Sequence, residues 1–179
     1  MHRNIFKMAL LAVLVFGLSA VAAAQMALDL DLAPGDQNKR ETQVKPGDMI
    51  TAELVAVKGA SGAIGFEVEI AFDEKEVIFK GFNPGGLMSG AVVVPPQKTP
   101  TGLKISAARL GGGGGADDSG TLGQVLLELA KELPHETVVK LVGGSYGTAQ
   151  GTQKFALEGG IKLLMGDAPP PGPPPPGGP

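Results

Sequence analysis

The chain has 179 residues with 28 glycines, 15 prolines, no cysteine and no tryptophan, and its 15 basic and 18 acidic residues give a net charge of −3. The lack of cysteine excludes disulfide staples, a lipobox and thiol chemistry, and two histidines are too few for a zinc site. An acidic chain without Lys/Arg clusters or spare aromatic rings is a poor match for nucleic acid.

Met1–Ala24 reads as a secretory signal peptide. Arg3 and Lys7 precede the apolar run Met8–Leu18, and Ala22-Ala23-Ala24 fits an A-x-A cleavage site. The apolar run is short against the roughly 20 residues of a bilayer-spanning helix, so cleavage is expected in preference to an uncleaved anchor. The mature chain expected after cleavage loses Arg3 and Lys7 and carries a net −5, and its domain is expected over residues 25–166. No later run is apolar enough to span a membrane. The expected destination is outside the cytoplasm: secreted, on the cell surface or in the periplasm.

From there turn signals recur at short intervals between segments that alternate or are rich in Val and Ile, the habit of an all-β sandwich. Leu28, Leu30 and Leu32 alternate with Asp29 and Asp31, which predicts a strand over Ala27–Leu32 with one buried and one solvated face. The turn Pro46-Gly47-Asp48 introduces a strand over Ile50–Val57. In Ile64–Phe72 the residues Ile64, Phe66, Val68, Ile70 and Phe72 fall on one face, while Gly65, Glu67, Glu69 and Ala71 fall on the other. That spacing predicts one buried and one wet, acidic face. Further strands are expected at Val77–Phe82, Ala91–Val94, Leu103–Leu110, Gly123–Ala130, Thr137–Val142 and Phe155–Met165. Leu122–Glu132 is full of helix formers and is compatible with a helix, but its place between two β segments favours the strand.

Two low-complexity pieces interrupt the pattern. Gly111–Gly115, followed by Ala116-Asp117-Asp118-Ser119-Gly120, is expected to form a mobile loop between two strands. The tail, residues 167–179, holds Ala168–Pro179 (APPPGPPPPGGP), which cannot enter a sheet because proline lacks the N–H that a ladder needs. It reads as an extended polyproline spacer. Either the gene product is truncated there or the tail itself contacts the cell envelope.

A search for chemistry finds none. Beyond the signal there is one histidine, His135, in a polar connection, and no G-x-S-x-G elbow surrounds any serine. Glu67 and Glu69 share a strand face where a carboxylate pair could act, but they read better as a solvated surface. Asp117 and Asp118 offer oxygen ligands for calcium but lack the D-x-[DN]-x-[DN]-G order of a calcium loop. No Gly-Lys-Ser/Thr follows the glycine run, so it is no phosphate loop. The expectation is a protein without enzymatic activity or cofactor.

The order of motifs resembles a cohesin domain, the module that receives dockerins in cellulosome-type assemblies. The resemblance rests on the turn at Pro46-Gly47-Asp48, the strand Gly65–Asp73 (GFEVEIAFD) and the close at Gly81-Phe82-Asn83-Pro84-Gly85. It continues through Leu103–Leu110, Asp118-Ser119-Gly120-Thr121-Leu122, Val142-Gly143-Gly144-Ser145-Tyr146 and Phe155–Leu163. Glu74 stands where the family usually has a proline. The resemblance covers nearly all of Ala27–Leu164 and implies a nine-stranded sandwich of jelly-roll topology without catalytic activity. It also implies a partner-binding face on one outer sheet. Carried onto this chain, that face would take Gly65, Glu67 and Glu69 from the family's third strand. The sixth would add Lys104, Ser106 and Ala108, with Arg109 at the rim.

The function implied is a dockerin-binding module in an extracellular or cell-surface assembly of the kind linked to polysaccharide degradation. Direct carbohydrate binding is a second reading, weakened by the lack of tryptophan and the single tyrosine, Tyr146. A structural envelope or filament subunit is a third.

Overall fold

The computed structural model describes residues 24–110 and 117–166. The expected signal peptide up to residue 23, the run Gly111–Gly115 and the Pro-rich tail lie outside the described residues. Eleven strands follow in chain order: β1 Ala24–Asp29, β2 Glu41–Val44, β3 Met49–Lys58, β4 Ala63–Ala71, β5 Val77–Pro84, β6 Val92–Thr99, β7 Gly102–Ala108, β8 Gly120–Leu129, β9 Glu136–Thr148, β10 Gly151–Glu158 and β11 Gly160–Met165. A 3₁₀ turn at Gly86–Met88 buries Leu87 and Met88 against β8.

These strands build a β-sandwich of jelly-roll type. One sheet runs β5-β8-β3-β1, and the other runs β2-β11-β9-β4-β7-β6. Strand β10 belongs to both: Gly151–Lys154 pair with Ser145–Thr148 of β9, then Phe155–Glu158 pair in parallel with Ala24–Ala27 of β1. The only other parallel ladder among the described strands joins β11 to β2.

Alternation on the inner faces builds the core. Met26, Leu28, Leu54, Leu122 and Leu127 from the first sheet meet Val68, Ile70, Ile105, Val139 and Ile161 from the second, all fully buried. The Phe66 and Phe82 rings meet edge to face at 5.8 Å across this interior. Burial of so much branched aliphatic surface is what a fold without disulfides relies on.

Nine expected strands become eleven for two local reasons. Gly159, at φ +51°, breaks the expected Phe155–Met165 run into β10 and β11. The short strand β2 is polar and follows no alternation that would betray it. Leu122–Glu132 contributes strand β8, because tertiary pairing on both sides outweighs its helix propensity. The strand expected at Ala91–Val94 continues to Thr99 despite Pro95 and Pro96. It lies at a sheet edge, and its register shifts between Val94 and Gln97, where proline is tolerated.

Two face assignments are corrected. Strand β1 ends at Asp29; Leu30 still packs against the core, but Leu32 is exposed and Asp29 is fully buried. The reason is that the chain turns back at Leu30, whose N–H donates to Lys39 O. The loop so formed brings backbone donors down onto the Asp29 carboxylate. Ile64 is exposed rather than inward, because a register shift between Ala63 and Gly65 puts Ala63 into the core instead.

Candidate functional site

Strand register lays the outer face of the second sheet out as parallel rungs across β6, β7, β4 and β9. The first rung is Val92, Ala108, Gly65 and Gly147; the second is Val94, Ser106, Glu67 and Ser145; the third is Gln97, Lys104, Glu69 and Gly143. Leu103, Ile105 and Ala107 are buried, so the expected outward parity of Lys104, Ser106 and Ala108 holds. A bulge at Val142, between the Glu69–Gly143 and Ile70–Leu141 pairs, sets Gly143, Ser145 and Gly147 outward while Tyr146 points in.

The face is floored by small side chains. A shallow depression of about 430 Å³ runs over Gly65, Ser106, Ala108, Ser145 and Gly147, with Val94, Glu67 and Thr152 around it. Gly65 itself is buried in that floor: a Cβ there would lie 2.8 Å from Ala107 O, so only glycine lets β7 approach this closely. Lys104 Nζ reaches diagonally to Glu67 Oε1 at 3.0 Å. Glu69 instead leans over Gly143, with Thr101 Oγ1 at 3.4 Å from its Oε1.

The structure thus brings together Gly65, Glu67, Glu69, Lys104 and Ser106. It does not bring Arg109 to them. Arg109 follows the inward parity of Leu103, Ile105 and Ala107. Its guanidinium donates to Leu87 O in the 3₁₀ turn, and its N–H donates to Ile64 O. Asp118 is also occupied locally: its Oδ1 accepts from Gly59 N at 3.0 Å and its carbonyl accepts from Ala60 N. Asp117 is exposed beside it. Among the described residues no group of three His, Asp or Glu side chains is placed to hold a metal ion.

Sequence reasoning missed the flanks of this face. Val92 and Val94 are exposed beside it, and Gly143, Ser145 and Gly147 supply the β9 floor. The alternation of Val92-Val93-Val94 and the small residues at every second position of Gly143–Gly147 carried that signal.

A second concentration of charge lies elsewhere, on the outer side of the first sheet. Asp29 accepts from the N–H groups of Asp31, Gln37 and Lys39 at 2.8, 2.5 and 3.2 Å, and Arg40 Nη1 stands 3.3 Å from it. Burial by itself raises its pKa, but the hydrogen bonds to the Asp31 and Gln37 N–H groups and the Arg40 charge outweigh that and hold it below the usual Asp value. Its cross-strand neighbour Glu53 is buried, accepts one bond from Thr121 Oγ1 at 2.9 Å, and leaves Oε2 without a partner. Burial, with the nearby Asp29 and Asp31 charges, pushes Glu53 up. This cluster fastens the loop from Leu30 to Arg40.

The single tyrosine is not a sugar platform. Tyr146 is fully buried against Phe155, with ring centroids 5.0 Å apart, and burial raises its pKa. His135 is exposed and its carbonyl accepts from Met165 N.

Neither a known protein family nor any curated protein matches this sequence. Solved structures do match, over almost their whole length. A cohesin module from a Clostridium perfringens family 33 glycoside hydrolase superposes with a TM-score of 0.61 at 17% identity, covering 80% of this chain and 98% of that one. The fold is that of the cohesins. A non-cellulosomal cohesin from the archaeon Archaeoglobus fulgidus gives 0.58 at 12% identity, covering 82% of this chain and 93% of that one. The sixth cohesin of Acetivibrio cellulolyticus scaffoldin B, solved in complex with a dockerin, gives 0.58 at 10% identity, covering 80% of this chain and 99% of that one. At these identities the likeness to cohesins is one of fold.

Proposed function

We propose that this cohesin-like chain is an exported, non-catalytic module that binds a dockerin-type helical partner through the β6-β7-β4-β9 face. The observation that carries the reading is the small-residue floor of that face. Gly65, Ser106, Ala108, Ser145 and Gly147 leave a shallow trough in which a helix can approach the sheet backbone closely. The dockerin-bound cohesin among the structural relatives makes this fold a known support for such a partner. A trough with Glu67, Glu69 and Lys104 at one end has the mixed apolar and charged character of a specific interface. It would bury roughly 1,200–2,000 Å² in all.

The module would work outside the cytoplasm, in a cell-surface or secreted assembly that degrades polysaccharide. Direct carbohydrate binding has less support, since the single tyrosine, the best candidate for stacking on a sugar ring, is in the core. The Phe residues of the described part are buried or half-buried. A panel of purified dockerin modules titrated calorimetrically against the chain tests the proposal. Saturable binding that Ser106→Trp abolishes is the expected result. Binding that survives a tryptophan in the middle of the trough would remove this face from consideration.

A further inference from the structure

The binding face is polarised along its strands. At the first rung, Val92, Ala108, Gly65 and Gly147 present only apolar or small groups; two rungs away the face ends on Lys104 and Glu69. The two acidic side chains are not equivalent. Lys104 stands opposite Glu69 in the ladder but turns to Glu67, at 3.0 Å, and so neutralises the nearer carboxylate from within the chain. Among the described residues no basic side chain forms an ion pair with Glu69, whose carboxylate lies over the bare backbone of Gly143.

From this asymmetry we infer that the face accepts its helical partner in one direction only. A cationic side chain of the partner meets Glu69, and an aliphatic one covers Val92, Val94 and Ala108. The inference rests on the helical-partner reading and adds the chemistry and orientation of that partner. Four strand residues separate Gly65 from Glu69, which is about 13 Å at the usual rise per residue. A helix lying along the strands spans that distance in about nine residues. The partner is therefore recognisable by a Lys or Arg and a branched aliphatic residue on one helix face, two to three turns apart. The reversed pose would press the cation onto Val92 and Val94 and leave Glu69 under an apolar group, where an unmatched charge is costly.

The probe is a synthetic amphipathic helix of about 16 residues, basic in its first turn and aliphatic in its last, spin-labelled at either end. With the isotopically labelled chain, the label at the basic end is expected to broaden the amides of Glu69 and Gly143. The label at the aliphatic end is expected to broaden those of Val92 and Ala108. Glu69→Gln should weaken binding roughly tenfold, the loss of one charge-assisted contact. Lys104→Met should tighten it, because Glu67 is then open to the partner as well. Equal broadening at both ends from either label, an inert Glu69→Gln, or no binding at about 1 mM peptide overturns the inference. Ser106→Trp separates the two levels. If it leaves peptide binding intact, the face itself is wrong; if it abolishes binding while the labels show no preferred direction, the face stands and the orientation falls.

Discussion

Lys104 faces Glu69 across the β4–β7 ladder, yet its ammonium lies 3.0 Å from Oε1 of Glu67, one rung away. Both side chains are partly exposed, so the pair contributes little to folding and mainly sets which carboxylate a partner meets. Lys104→Met is therefore expected to leave the urea midpoint almost unchanged, within about 0.5 kcal/mol, as for other solvent-exposed ion pairs. A loss of several times that size would show the pair to be structural.

Glu53 gives a prediction with a defined sign. Its folded-state pKa is raised by burial, so the folded protein binds this proton more tightly than the unfolded chain does. Wild-type stability from this group is greatest below the ordinary Glu value and falls as pH rises through that value to the folded pKa. Glu53→Gln keeps an oxygen to accept from Thr121 and carries no charge. Its melting temperature should exceed that of the wild type at pH 7, and the gap should close in melts near pH 4.

Asp29 behaves oppositely. Its depressed pKa means that its contribution is present above the ordinary Asp value and is lost as pH falls through the folded one. Asp29→Asn removes the charge that three backbone N–H groups and Arg40 converge on. A loss of about 2–3 kcal/mol is expected, in the range for hydrogen bonds to a charged group. Hydrogen exchange should show the loop from Leu30 to Arg40 opening first. Uniform protection across that loop in the variant would contradict the account.

Tyr146 is a buried hydroxyl without a hydrogen-bond partner. Tyr146→Phe deletes an uncompensated polar atom and keeps the ring against Phe155. It should raise stability by about 1 kcal/mol in denaturant titrations. A destabilised variant would mean that the hydroxyl is satisfied in solution.

Gly144 links core and face. A Cβ there would sit 2.0 Å from Phe155 Cζ and 2.7 Å from Glu67 O, so Gly144→Ala displaces both a core ring and the backbone carrying Glu67. About 1–3 kcal/mol of stability should be lost, as in other overpacked cores. The chemical shifts of Glu67 and Ser145 should move in the same spectra. Shifts confined to the core would separate the two effects.

Much of this was legible in the chain because strand alternation is a local signal. Phe66, Val68 and Ile70 against Glu67 and Glu69 fix the outward row of β4 from five consecutive residues. The parity of Lys104 and Ser106 follows from Leu103 and Ile105 in the same way. What escaped depends on contacts distant in sequence. Asp29 reads as a solvated residue until a loop ending ten positions later lays its N–H groups on it. Ile64 obeys the alternation, but a register shift with β9 turns it outward. Arg109 lies next to the face in sequence, and only the 3₁₀ turn at Leu87 reveals where its guanidinium goes.

The strand that changes sheets has a mechanical consequence. Strand β1 lies parallel to the second half of β10, and β11 continues from β10 along β9 in the same direction. Tension applied at Ala24 and Met165 therefore pulls β1 and β10–β11 past each other along their length. The hydrogen bonds between them bear such a load side by side instead of parting one after another like a zip. A domain threaded this way is built to stay folded while something tugs on it.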